Sequence, residues 1–128
     1  MKKRIIFLII FLIFLIILSI FLYFYFQKNP RTYGEYDSFV LCLKEKGVVL
    51  YGAFWSKYTN EQKEMFKKSA KLLPYVECST RDKKGQKQIC IEKEIDAYPY
   101  WVFQDGSVLR GKLSFSQLSE KTGCPLPE

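Results

Sequence analysis

From Ile5 to Phe26 the chain runs for 22 residues without one charge, and Ser19 is the only small polar residue among them. A helix of about 20 apolar residues crosses the ~30 Å hydrocarbon core of a bilayer, so this stretch predicts a membrane-spanning anchor. It opens on Met1-Lys2-Lys3-Arg4 and closes on Tyr23, Phe24, Tyr25 and Phe26, rings suited to a membrane–water interface. A cleaved signal peptide is the rival reading, with an apolar region of about 7–15 residues and small residues at the cut. Here the apolar run is longer, bulky aromatics follow it, and no cysteine stands nearby to take a lipid. An uncleaved anchor is therefore expected. The expected layout is a basic end at 1–4, the anchor at 5–26, a linker at 27–37 marked by Pro30 and Gly34, and one small domain at 38–128.

The anchor separates two unequal sets of charge. Lys2, Lys3, Arg4 and the α-amine precede it, whereas Lys28 and Arg31 follow it and are answered by Glu35 and Asp37. That bias places the N-terminus inside and the domain outside. Cys42, Cys78, Cys90 and Cys124 all lie in the domain. An even number in an oxidising compartment reads as two disulfides, and three pairings are open.

Other absences narrow the chemistry. The 128 residues include no histidine, which excludes Ser-His and Cys-His nucleophiles, histidine metal ligands and a histidine proton switch. There is no Gly-rich phosphate loop and no repeat, and the cysteines form no Cys-x-x-Cys knuckle for zinc. Neither a metal nor a cofactor is expected. Of the net charge of +7, three units come from Lys2, Lys3 and Arg4. Lys67, Lys68 and Lys71 form one later basic cluster, and Arg81, Lys83, Lys84 and Lys87 another. These are expected to be a solvated face and a flexible loop. No aromatic residues interleave with the second cluster as nucleic-acid stacking requires, so nucleic acid is excluded as a partner. A weak attraction to anionic headgroups fits a tethered domain.

Within the domain, Asp37 or Ser38 can cap a helix carrying Phe39, Val40 and Leu43 that stops at Gly47. Val48 to Phe54 predicts a buried strand. A helix follows from Lys57 to Leu72, with Tyr58, Gln62, Met65, Phe66 and Ser69 on one face, and Pro74 ends it. Tyr75 to Cys78 predicts a strand, Arg81 to Gln86 a charged loop, and Lys87 to Lys93 a short helix. After Pro99, Tyr100 to Gln104 and Val108 to Gly111 form a hairpin on a two-residue Asp105-Gly106 turn. Ser114-Phe115-Ser116-Gln117 is a capping box opening a last helix that ends at Gly123. This order suits an α/β fold with a small mixed sheet and helices on both faces, the thioredoxin arrangement.

Particular residues sharpen that reading. Tyr51-Gly52-Ala53-Phe54-Trp55, then Glu61-Gln62-Lys63-Glu64-Met65-Phe66, resembles the active-site strand and helix of thioredoxin-like domains. Leu72-Leu73-Pro74-Tyr75-Val76-Glu77-Cys78-Ser79 and Tyr98-Pro99-Tyr100-Trp101 resemble the type found alone, or fused to membrane-embedded quinone-linked reductases, among bacterial homologues of vitamin K epoxide reductase. The similarity covers about 39–124. It implies a bacterial cytoplasmic (inner) membrane, a role in redox homeostasis, and a quinone-linked reductase as a partner. It also implies a proline loop at Pro99, cis in that family, that receives extended polypeptide. In that family Trp is followed by Cys-x-x-Cys, whose first thiolate attacks a disulfide and whose second cysteine resolves the product.

Here the motif is Ser56-Lys57-Tyr58-Thr59, so Ser56 and Thr59 occupy the cysteine positions. A hydroxyl is not ionised near neutral pH and no histidine can activate it. No catalysis is expected at this degenerate motif. Ser56 then serves as a helix cap. Trp55, Lys57, Tyr58, Tyr98 and Pro99 would line a groove for an extended peptide or partner protein. The implied fold favours the pairs Cys78–Cys90 and Cys42–Cys124, each stabilising by about 3–5 kcal/mol. The expected function is a membrane-anchored, extracytoplasmic, redox-silent binding or accessory module. One alternative is thiol-disulfide exchange through Cys78 and Cys90, and another is a structural subunit held by its apolar helix.

Overall fold

The computed structural model describes residues 1–28 and 34–126, so positions 29–33 of the expected linker, with Pro30, and the last two positions lie outside the described residues. The chain divides into two compact units, Met1–Thr32 and Tyr33–Glu128. The first unit holds α1 (Lys2–Lys28). Its stretch Lys2–Tyr25 is long and apolar enough to cross a membrane, and none of the most apolar window is buried within the protein. The helix continues through Gln27 and Lys28, which the sequence reading assigned to the linker.

The second unit runs α2 (Asp37–Glu45), β1 (Val49–Gly52), α3 (Lys57–Met65), a 3-10 segment (Lys67–Leu72), β2 (Tyr75–Glu77), α4 (Gln88–Glu92), β3 (Tyr100–Val102), β4 (Val108–Arg110) and α5 (Phe115–Thr122). The sheet order is β2-β1-β3-β4. Strands β1 and β2 are parallel, while β1–β3 and β3–β4 are antiparallel. This is a thioredoxin-like fold.

Alternation along the strands explains the two-sided core. Val48, Leu50, Trp101 and Phe103 face one cluster, joined by Phe39, Val40 and Leu43 of α2, Phe66, and Leu118 of α5. Tyr51 and Tyr100, one residue out of phase, face the other cluster with Cys78, Cys90 and Ile95. Burying such a side chain contributes about 1.5–3 kcal/mol, so both faces of the sheet are covered by strongly favourable contacts. The register fits, because Leu50 pairs with Trp101 and Tyr51 with Tyr100.

Several local expectations need correction. The helix after β1 ends at Met65, Phe66 links it to a 3-10 segment, and Lys67 opens that segment at φ 50°. The break turns Ser69 inward, where its Oγ accepts from the Tyr36 N–H at 3.0 Å. Asp37 begins α2 instead of capping it, and its Oδ2 accepts from the Gly34 N–H at 3.0 Å. The β3–β4 connection is longer than two residues: Gly106 N donates to Phe103 O at 2.9 Å, and Phe103 N to Ser107 O at 3.0 Å. Gly106 takes φ 78°, the left-handed position that closes such a loop. The strands and α4 are also a residue or more shorter than expected. The last helix does carry both bonds of its capping box, and Gly123 closes it at φ 73°.

Candidate functional site

The parallel strands β1 and β2 end side by side, with Gly52 opposite Glu77 and the Cys78 N–H donating to Gly52 O at 2.8 Å. Strand β3 runs the other way, so Tyr98 and Pro99, just before it, arrive at the same end of the sheet. Three connections therefore meet there: 53–56, 78–87 and 96–99. Ligands in open α/β sheets bind at such carboxyl ends.

Ser56 is the N-cap of α3, with its Oγ accepting from the Thr59 N–H at 3.4 Å. Both residues are buried, and the Thr59 Oγ1 has no hydrogen-bond partner among the described residues. Thr59, not Tyr58, therefore lies on the inner face of α3 together with Gln62, while Tyr58 is exposed. Gly52 admits this approach, since a Cβ there would stand 2.5 Å from the Thr59 Cγ2. Gln62 fixes the far side of the helix: its Nε2 donates to Leu113 O at 3.0 Å and its Oε1 accepts from Leu113 N–H at 2.6 Å.

Trp55 and Tyr98 meet edge to face at 5.9 Å between ring centroids. Trp55 is about half exposed, at 49%, and its Nε1 donates to Ser79 Oγ at 2.8 Å. The Gln86 Nε2 donates to Tyr98 Oη at 2.8 Å and to Ile95 O at 2.7 Å. The Tyr98–Pro99 peptide is cis. Pro99 is fully buried and so offers no side-chain surface, and its carbonyl accepts from Gly111 N–H at 2.8 Å. The Tyr98 N–H and C=O have no partner among the described residues. Lys57 is exposed and lies 3.8 Å from Glu61.

The sequence reading did not single out Glu77, Ser79 or Gln86. Glu77 Oε1 accepts from Phe54 N–H at 3.2 Å and from Ser79 N–H at 2.9 Å, and Oε2 accepts from Tyr75 Oη–H at 2.7 Å. One carboxylate thus clamps the β1–α3 turn to the strand beside it. Burial, then the Glu77 bond and charge, push the Tyr75 hydroxyl pKa far up, so it stays a donor. Lys63 stands 3.2 Å over the Tyr75 ring, and burial lowers its pKa against the opposing pull of Glu77. The available signal was position, because Glu77 is the last residue of the strand parallel to β1.

The charged stretch 81–86, expected to be a flexible loop, is internally bonded. Thr80 N donates to Gly85 O at 3.0 Å, Gly85 N to Thr80 Oγ1 at 3.0 Å, and Lys84 N to Asp82 Oδ1 at 3.2 Å. Ser79 and Gln86 form an antiparallel bridge at its base. Lys83 stands 5.5 Å over the exposed Phe54 ring.

Cys78 and Cys90 are joined across this base, with Cα atoms 5.6 Å apart, and both are fully buried. Cys42 and Cys124 are joined with Cα atoms 5.8 Å apart, tying α2 to the end of the fold. Among the described residues no three His, Cys, Asp or Glu side chains gather to hold a metal. The polar groups here can position a chain and offer it hydrogen bonds, while Cys78 and Cys90 are withdrawn from the surface and Cys42 of the other pair is partly buried.

No family model matches the chain. It is similar to Thiol-disulfide oxidoreductase LTO1 of Arabidopsis thaliana, 41% identical over 90 residues. The match covers 67% of this chain but only 24% of that protein, so the chain corresponds to about a quarter of its relative's length.

Proposed function

We propose that the chain is a membrane-anchored accessory module whose thioredoxin-like domain holds an extended polypeptide segment without thiol chemistry. Ser56 and Thr59 are read as standing where related oxidoreductases carry their two cysteines, which makes this a degenerate active site. The observation that carries the reading is that both are buried hydroxyls, with the Ser56 oxygen committed to capping α3. Neither can form or open a disulfide. What remains is recognition. Trp55, Tyr58 and Tyr98 offer aromatic surface, and the free backbone groups of Tyr98 can pair with an added strand. The charge bias around the anchor supports a domain outside a bacterial cytoplasmic membrane. A quinone-linked membrane reductase is the partner class the resemblance supports.

The test is binding of short fluorescent extended peptides to the full chain in neutral-lipid nanodiscs. Trp55→Ala is expected to weaken binding about tenfold or more, as for a central aromatic anchor. Unchanged binding by that variant, or no binding by the native chain, refutes the reading.

The relative's name favours a second reading, disulfide exchange through Cys78 and Cys90. Exchange requires an exposed sulfur, and the burial of both counts against it.

A further inference from the structure

We infer that the occupant of this groove is an acidic segment of a partner protein, an extended peptide whose carboxylates meet the cations around Phe54 and Trp55. This rests on the binding role proposed above and adds its charge preference.

The stretch 81–87 carries Arg81, Lys83, Lys84 and Lys87 against the single carboxylate of Asp82. It is a built wall of the site, because Ser79 and Gln86 at its base hold Trp55 and Tyr98 through their side chains. Lys83 is fixed over Phe54, and Lys57 stands exposed at the start of α3. Nearby carboxylates are already engaged by the fold. Glu77 receives three donors, Asp82 serves Thr80 and Lys84 N–H, Glu61 is bonded by Lys112 at 2.8 Å, and Asp96 by Arg110 at 2.9 Å. Glu77 and Asp82 keep their charge, because their donors are neutral, but Lys57, Arg81, Lys83, Lys84 and Lys87 outnumber them. The rim is net positive beside exposed rings, and charge complementarity selects an acidic ligand. A polypeptide is favoured over an anionic bilayer because the open donor and acceptor of Tyr98 suit a strand backbone, which a lipid headgroup does not supply.

The test uses the full chain in neutral-lipid nanodiscs and one Ser/Val peptide carrying Glu, Gln or Lys at the same positions. An exposed ion pair is worth up to about fivefold. The Glu peptide is thus expected to bind about five- to tenfold tighter than the Gln peptide, and the Lys peptide weakest. Lys57→Glu with Lys83→Glu should reverse that order, whereas Lys44→Glu on α2 should leave it unchanged. Raising salt to about 0.5 M should erase the difference. Equal affinity for all three peptides overturns the charge preference and leaves the groove standing. Failure of every peptide to bind sinks both readings. A chain that ignores the peptides but draws anionic vesicles to its domain would assign these cations to a membrane surface and overturn the inference.

Discussion

Ser56→Cys and Thr59→Cys, made together, ask whether the scaffold around the two hydroxyls still supports thiol chemistry. Residues three apart in a first helical turn have Cα atoms about 5 Å apart, inside the ~4.4–6.8 Å range of a disulfide. The cost to folding is small. Replacing the Ser56 cap removes about 1 kcal/mol. The Thr59 Oγ1 makes no hydrogen bond among the described residues, so that change forfeits mainly one methyl group, about 1 kcal/mol. A loss of about 2 kcal/mol lies well below the ~5–15 kcal/mol stability of ordinary domains. The new thiol at position 56 would sit at the N-terminus of α3 beside Lys57. A one-unit fall from a pKa of about 8.5 raises its thiolate share at pH 7 from about 3% to about 25%. The assay is turnover of a fluorescent peptide disulfide by the full chain in micelles, with dithiothreitol as reductant. The double variant should turn over, with its rate rising through about pH 7.5. Without dithiothreitol, Ser56→Cys alone should trap a mixed disulfide, because position 56 keeps 8% exposure at the helix start, whereas Thr59→Cys alone should be inert because position 59 is fully enclosed. A double variant that is folded yet inert would refute the claim that this end of the sheet keeps a thioredoxin-like geometry.

Glu77→Ala removes the acceptor for two backbone N–H groups and the Tyr75 hydroxyl, and should lower stability by about 1–3 kcal/mol in urea unfolding. Glu77→Gln should cost less, because one oxygen remains. Gly52→Ala should destabilise by about 1–3 kcal/mol through the clash with Thr59, and Thr59→Ser should partly relieve it in a thermal melt of the pair. The Asp105 pKa is depressed, first by the Ser107 hydroxyl, then by the Ser107 N–H and Lys121. Its contribution is present above an unfolded carboxylate pKa of about 3.9 and is lost as pH falls below it. The melting temperature of the native chain should therefore exceed that of Asp105→Asn at pH 7, and the gap should close under acid.

The parts legible in the sequence are those set by short-range periodicity and end chemistry. Val48 to Tyr51 alternate between two apolar faces, Ser114 and Gln117 form a reciprocal cap, and the uncharged N-terminal run forms one helix long and apolar enough to cross a membrane. The break after Met65 was hidden because no glycine or proline marks it and the apolar pattern runs on through Phe66 and Ser69. Tyr58 fits the apolar stripe of Gln62, Met65 and Phe66 by spacing, whereas Thr59 is the residue that packs inward, because the close approach to Gly52 leaves room for the smaller side chain only. The clamp of Glu77 and the wall of 79–86 depend on partners about 5 to 24 positions away, which local pattern does not encode.

The central claim is that the domain binds without exchanging disulfides. A redox titration of the full chain, read by thiol alkylation and mass mapping, tests it most directly. The fully buried Cys78–Cys90 pair and the Cys42–Cys124 pair that ties α2 to the end of the fold should both persist to potentials below about −300 mV, as structural disulfides do. If Cys78–Cys90 instead opens near about −200 mV and exchanges with a peptide disulfide, the chain is a working oxidoreductase and the claim is wrong.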